Sequence, residues 1–269
     1  MSNGPLQEIV AVLGSPAAGN PSQYLFERAF AAAGLDWRII TCDVPTEKLA
    51  PAMAGIDAMG FRGCLVGGPL RRPALSLVAG TSPTARFAGG VGLVERSGEG
   101  LIGHMTDGRA VVEAIRGHCD PAGKHALVFG AGLSGRAVAL ELAMAGTAGV
   151  LVVDPDEARG QKLTEDLTGL QAAPAEFLSV ESAISIPAHA AIIVNTVAKV
   201  SSFEGLRPDL VVADATPKGF PMQAFHTAGC CLIDTLEIRA LQAAIEFRMF
   251  TGVDADLDLV RESLDEYLS

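Results

Sequence analysis

The run from His125 to Val138, HALVFGAGLSGRAV, restricts what this chain can fold into more than any other segment. Ala126 to Phe129 is apolar and reads as a buried strand. Gly130, Gly132 and Gly135 follow at G-x-G-x-x-G spacing, and an Ala- and Leu-rich stretch continues as a helix to Gly146. A second apolar run, Val150 to Val153, ends at Asp154. The first glycine of such a β-α-β unit allows a tight turn, the second lets backbone approach a pyrophosphate, and the third lets helix and strand pack closely. Free N–H groups at the helix N-terminus then face the anion. Glycine spacing alone decides little in a chain with 30 glycines. The strand before, the helix after and the acid 19 residues past Gly135 lift it above a turn that merely needs small residues. Gly130, Ala131, Gly132, Leu133, Ser134 and Gly135 are the candidate phosphate cradle. A carboxylate at the tip of the second strand accepts hydrogen bonds from both ribose hydroxyls and repels a 2′-phosphate. Asp154 stands there, and the nearest arginine, Arg159, comes only after Asp156 and Glu157, so NAD is expected over NADP.

The remaining chain alternates in the same way. Strands are expected over 8–14, 37–43 and 62–66, with helices over 22–33, 46–58 (Thr46 as N-cap) and 73–79. Residues 90–106 read as a hairpin with a glycine turn, and Asp107 opens a helix through His118. Further strands suit 149–154, 170–174, 190–196, 209–214 and 229–233. Helices suit 156–168 and 220–228, and a helical tail covers 235–249 and 254–268. The class is α/β with an open, mostly parallel sheet.

A length of 269 residues has room for one large or two modest domains, and 49% hydrophobic residues can fill their cores. The net charge of −11 argues against nucleic acid and an acidic membrane surface as partners. Cys42, Cys64, Cys119, Cys230 and Cys231 show no metal-ligand spacing and read as free thiols of a reducing compartment. With no secretory leader pattern and no apolar stretch near 18 residues, a cytoplasmic protein is expected.

Two charged residues stand where chemistry could occur. Arg71 follows a Gly-Gly-Pro-Leu turn at the end of a strand, the edge at which open parallel sheets bind ligands. Asp107 lies at the hairpin-to-helix junction, where helix-dipole stabilisation would by itself explain an acid. His104 is a lesser candidate base, the other histidines show no spacing of interest, and no metal is indicated.

The chain resembles the shikimate dehydrogenase family over nearly its whole length. Gly14-Ser-Pro16 with Ser22 and Phe30, Gly60-Phe-Arg-Gly63 with Pro69, the nucleotide loop from Gly130, and Gln242-Ala-Ala244 with Phe247 and Thr251-Gly252 all look like family segments. The run Gly103-His-Met-Thr-Asp-Gly108 is similar to the family's G-H-N-T-D-G, the most specific match. The resemblance implies two α/β domains. A substrate domain covers 1–108 and 236–269, and a Rossmann dinucleotide-binding domain covers 109–235. It also implies that Asn195 and Thr196 lie beside the nicotinamide and that Asn20, Ser22 and Gln242 meet the substrate. The catalytic pair becomes Asp107 with Arg71, which replaces a lysine. Other polar positions of the family are replaced by Phe26, Leu65, Gly67, Gly92 and Met105, and Ala215-Thr-Pro-Lys218 stands where the family carries a tyrosine.

A guanidinium stays protonated at working pH and cannot relay a proton as lysine can, yet it can hold a carboxylate or polarise a carbonyl. Each lost partner of a buried hydroxyl costs about 1–3 kcal/mol, so efficient turnover of shikimate is not expected. The preferred reading is an NAD(P)-dependent oxidoreductase acting on a small hydroxy or oxo substrate, with Asp107 handling the proton. A carboxylated substrate would suit Arg71 and Arg72. The alternative is a cofactor-binding sensor or regulatory relative without turnover. A homodimer is compatible with either.

Overall fold

The computed structural model describes residues 7–179, 184–197, 202–216 and 220–269. The chain forms two compact units, Met1–Thr106 with Ala240–Ser269, and Asp107–Arg239.

Unit one is built from β1 (Glu8–Gly14), α1 (Ser22–Ala32), β2 (Trp37–Asp43), α2 (Leu49–Ala58), β3 (Gly63–Val66), α3 (Arg71–Ala74), β4 (Gly80–Thr81), α4 (Pro83–Ala88), β5 (Leu93–Ser97) and β6 (Gly100–His104). Its sheet has the order β2-β1-β3-β5-β6-β4. The pairings of β1 with β2, β1 with β3 and β4 with β6 are parallel, while β5 is antiparallel to both β3 and β6. The central strand β1 buries Val10 to Leu13 continuously, the pattern of a strand covered on both faces. Helix α1 buries Leu25, Phe26, Ala29 and Phe30, one stripe of a 3.6-residue period. Phe30 meets Phe247 at 5.4 Å and Trp37 at 5.6 Å, which joins the C-terminal segment to this core.

Unit two runs through α5 (Asp107–Arg116), β7 (His125–Phe129), α6 (Leu133–Met144), β8 (Gly149–Val153), α7 (Glu157–Gly169), β9 (Ala175–Phe177), β10 (Ile184–Ser185), β11 (Ala190–Asn195), β12 (Phe203–Glu204), β13 (Val211–Asp214), α8 (Met222–Thr227) and β14 (Cys231–Ile233). It also takes the start of α9 (Thr235–Thr251), whose remainder, with α10 (Leu257–Leu268), counts with unit one. Its main sheet is wholly parallel, in the order β14-β13-β11-β7-β8-β9. The order in which strands are added reverses between β7 and β11, the topological switch point at which doubly wound sheets open a crevice. Phe129 is in register with Asn195 and Val153, and Asn195 with Asp214, so the strand ends that border this crevice are level.

The α/β class and the two-unit, mostly parallel architecture match the sequence expectation. Local details differ. The strand expected at 170–174 begins at Ala175, because α7 is followed by Gln171 at φ 53° and then by Pro174, which has no N–H to give a ladder. Thr46 does not cap α2: it begins a 3₁₀ turn, Thr46–Lys48, and the helix starts at Leu49. The helix expected at 73–79 is the shorter α3 followed by a 3₁₀ turn, Leu75–Leu77, and β4 was not anticipated.

Gly108 shows how tightly unit two is packed. A Cβ there would overlap the Ala137 carbonyl on α6. Gly108→Ala is expected to destabilise the protein by about 1–3 kcal/mol through forced separation of α5 from α6. Urea unfolding measures this, and an unchanged midpoint would contradict the close approach.

Candidate active site

The glycine turn lies where β7 meets α6. Gly130 has φ 101°, and a Cβ on it would sit 2.5 Å from Thr196 Oγ1. A Cβ on Gly135 would strike the Gly130 carbonyl, so this position lets the helix close on the strand. Gly132 has nothing within 4 Å of the equivalent point, which leaves its backbone open to an approaching group. Gly132 also precedes α6 with no side-chain cap, so the first-turn N–H groups of Leu133, Ser134 and Gly135 keep their anion-binding capacity. These features fit a dinucleotide diphosphate. Ala131 has a different place in the cradle, since its N–H donates to Asp154 Oδ2 at 2.6 Å.

That bond revises the reading of Asp154. Its side chain is fully enclosed, and both carboxylate oxygens are engaged. Oδ2 accepts from Ala131 N–H and from Arg159 Nε at 3.1 Å. Oδ1 accepts from Asp156 N–H at 2.8 Å and from Arg159 Nη2 at 2.6 Å. Asp154 is therefore a strut between the glycine turn, the tip of β8 and α7, rather than an open acceptor for ribose hydroxyls. Sequence spacing does not show this because Arg159, in the first turn of α7, reaches back to it. Burial pushes the Asp154 carboxyl up, but the hydrogen bonds from Arg159 and the two backbone N–H groups outweigh it and hold it below the ordinary carboxylate range.

Asn195 and Thr196 stand across the switch point. Asn195 is wholly buried, and its amide N–H groups reach Asp214 Oδ1 at 2.8 Å and Thr216 Oγ1 at 2.9 Å. The Thr196 hydroxyl donates to the Phe129 carbonyl at 2.6 Å. Both side chains shape the loop rather than project from it, so contact with a nicotinamide would come from the loop backbone. Pro217 and Lys218, the last two residues of the segment that the resemblance sets in place of a tyrosine, lie outside the described residues.

Asp107 is the first residue of α5, and its Oδ2 accepts from the Ser134 hydroxyl at 2.5 Å. Within unit two, the candidate proton carrier is thus tied to the glycine turn through one side chain.

In unit one, Arg71 begins α3. It is half-buried, and its Nε donates to the Val66 carbonyl at 3.1 Å. A Cβ on Gly92 would lie 3.5 Å from the Met105 sulfur and 3.8 Å from the Arg71 guanidinium. Three positions that the resemblance marks as departures, Arg71, Gly92 and Met105, therefore cluster here. Arg72 is exposed, as a solvated charge would be. Asn20 Oδ1 accepts from Ser22 N–H at 2.9 Å, which fixes the entry to α1. His104 Nε2 lies 3.3 Å from Glu95 Oε1 on the same hairpin.

Gln242 Nε2 donates to Thr106 Oγ1 at 3.1 Å and to Glu246 Oε1 at 3.0 Å, and the Thr106 hydroxyl donates to the same Glu246 oxygen at 2.7 Å. Glu246 is buried, at 7% exposure, among the candidate substrate residues. It is not among the site residues expected from the sequence. Its signal is the four-residue step from Gln242, which puts both side chains on one face of α9. Among the described residues, no group of three His, Cys, Asp or Glu could hold a metal ion, and no helix is long and apolar enough to cross a membrane.

Comparison with known proteins defines the class. Residues 12–94 match the shikimate dehydrogenase substrate binding domain. Over 260 residues the chain is 34% identical to the NADP(+) shikimate dehydrogenase of Symbiobacterium thermophilum, covering 93% of this chain and 84% of that protein. The ligand-free 5-ketofructose reductase of a Gluconobacter strain superposes with a TM-score of 0.93 at 28% identity, over 98% of this chain and 99% of that one. Shikimate 5-dehydrogenase of Thermus thermophilus, in complex with NADP(H) and shikimate, superposes with a TM-score of 0.82 at 27% identity, over 97% and 100% of the two chains. The chain belongs to the shikimate dehydrogenase family of NAD(P)-dependent oxidoreductases.

Asp154→Asn tests the strut. It keeps the size but turns an NH₂ group toward donors, and is expected to cost about 2–4 kcal/mol in urea unfolding. The sign with pH follows from the depressed carboxyl. Stability from Asp154 is full above the unfolded value of about pH 4 and is lost as pH falls through the lower folded value. The difference between wild type and variant should therefore shrink on acidification below that point.

Proposed function

We propose that the protein interconverts a small polyhydroxylated ketone and its alcohol with NAD(H), and that shikimate is not its substrate. The observation that carries the dinucleotide chemistry of this reading is the open glycine turn tied through Ser134 to Asp107. Unit two would hold the cofactor along Gly132 to Gly135, and unit one would hold the substrate through Arg71, Gln242 and the Asn20–Ser22 loop.

The bound nicotinamide would supply or accept hydride. Arg71 would donate charged hydrogen bonds to the substrate oxygen as negative charge develops on it. Asp107, with its carboxylate fixed by the Ser134 hydroxyl, would handle the proton of the reaction, giving it up in reduction and taking it back in oxidation.

The buried Glu246 beside Gln242 favours hydroxyl donors over a substrate carboxylate, which moves the proposal from a carboxylated substrate to a neutral one. The likeness to 5-ketofructose reductase over 98% of the chain supports the same direction. NAD is favoured by the exposed Asp156 and Glu157 at the tip of β8, where a 2′-phosphate would meet two carboxylates. The only guanidinium nearby in sequence, Arg159, is committed to Asp154. A second reading, a cofactor-binding regulator without turnover, is favoured by the guanidinium at position 71.

Fluorescence titration is expected to show NADH binding about tenfold or more tighter than NADPH, a gap of about 1.4 kcal/mol. Tighter NADPH binding would overturn the cofactor assignment. A screen of ketoses and keto acids with NADH should find turnover among the neutral ketoses. Shikimate oxidation at a comparable rate would overturn the substrate class, and NADH binding without any turnover would establish the regulator. With the substrate in hand, Asp107→Asn should lower kcat by about 10²–10⁴-fold while leaving NADH affinity unchanged.

A further inference from the structure

Unit two carries a second cluster of reactive side chains, apart from the glycine turn. Cys231 opens β14, His118 lies just beyond α5, and Glu237 is in the first turn of α9. Cys231 Sγ is 3.4 Å from His118 Nδ1, and His118 Nε2 is 3.0 Å from Glu237 Oε1. Asp234 Oδ1 accepts from Glu237 N–H at 2.8 Å and fixes the start of the helix. A carboxylate can only accept, so Glu237 places the imidazole proton on Nε2 and turns the bare Nδ1 toward the thiol. Nucleophile, base and orienting carboxylate are thus in series at hydrogen-bond distances.

The cluster is also reachable. Cys231 is half-buried, and the His118 and Glu237 side chains keep 31% and 24% exposure. Register places Cys231 beside Val211, Val211 beside Ile192, and Ile192 beside Ala126, near the beginnings of these strands. Gly130 follows their far ends, so the thiol is not part of the dinucleotide turn.

The other cysteines are differently placed. Burial, with a smaller contribution from Cys42, pushes the Cys64 thiol up to about 12. Burial also raises Cys119 and Cys230. At Cys119 the charge of Lys124 opposes that upward push and Asp120 adds to it. Among the described residues, Cys231 is the cysteine that an imidazole meets.

We propose that Cys231 is a thiol–disulfide exchange site for small-molecule disulfides, with His118 as its base and Glu237 as the residue that positions the base. Cys231 Sγ bonds to one sulfur of the disulfide as the reagent's own S–S bond breaks. The thiol proton passes to His118 Nδ1 and then to the departing thiolate. Cys231 is oxidised to a mixed disulfide, and the other half of the reagent is reduced to a thiol. No further oxidant is needed.

The test treats the native protein near neutral pH with dithiodipyridine, then with glutathione disulfide, and follows released thiol while mass spectrometry maps the modified peptide. One thiol should react about tenfold faster than the rest, and the label should map to Cys231. Cys231→Ser should abolish the fast phase. His118→Asn should slow it about tenfold, Glu237→Ala should slow it as much, and Glu237→Gln, which keeps an acceptor for Nε2–H, should restore most of the rate. Mapping of the fast label to another cysteine in the wild type overturns the proposal without any variant. So does a fast phase unchanged by His118→Asn in protein that keeps the wild-type unfolding transition.

Discussion

The buried carboxylate of Asp154 is the constraint on which the geometry of unit two depends. A charge at a strand tip is costly to enclose unless its lone pairs are filled. Here four donors fill them: the Ala131 and Asp156 N–H groups and two nitrogens of Arg159. Because the donors belong to three different segments, satisfying the charge fixes those segments relative to one another. The turn after β7 is locked to the tip of β8, and α7 is locked to both, with Asp156 also capping α7 through the Arg159 N–H. A cofactor arriving at Gly132 would find its cradle already shaped, so little of its binding energy would go to ordering the loop.

The same interaction separates what the sequence displays from what it hides. Strand, glycine turn and helix were legible because each rests on local rules: apolar runs, positive φ and helical periodicity. The turn's glycines are accordingly explained one by one by the space around them. The role of Asp154 was not legible, because it depends on which groups surround the carboxylate in three dimensions. Its nearest arginine looked like a bystander five residues on and proved to be its main partner. β9 shows the same limit at the level of the backbone. Its apolar residues do not mark where α7 would end, and the left-handed Gln171 and Pro174 set the start of the strand. Glu246 was hidden for a related reason. An acid on a helix usually faces water, and only the folded unit shows it held by Thr106 and Gln242.

The departures around Arg71 are best understood as one coupled change. An arginine is longer and bulkier than the lysine that the family resemblance places at position 71, and it needs room for a planar group. Gly92 supplies room, since even a Cβ there would touch the guanidinium, and Met105 closes the same spot with a flexible apolar side chain. Any one of these changes alone would leave either a clash or a void. On the resemblance, they stand in place of a titratable amine and two polar side chains, with one fixed cation in a partly apolar setting.

That exchange has a chemical consequence. A cation that never gives up its proton can stabilise developing negative charge on oxygen at every working pH, but it cannot finish the reaction by delivering the proton. The proton must then come from a group that can exist in both states, and the carboxyl at Asp107 is the group of the proposed pair that can. Its hydrogen bond from Ser134 ties that carboxyl to the turn on which the dinucleotide would rest. Charge stabilisation by Arg71 and proton handling by Asp107 are thus the roles that a permanently charged side chain at position 71 leaves in the proposed reaction.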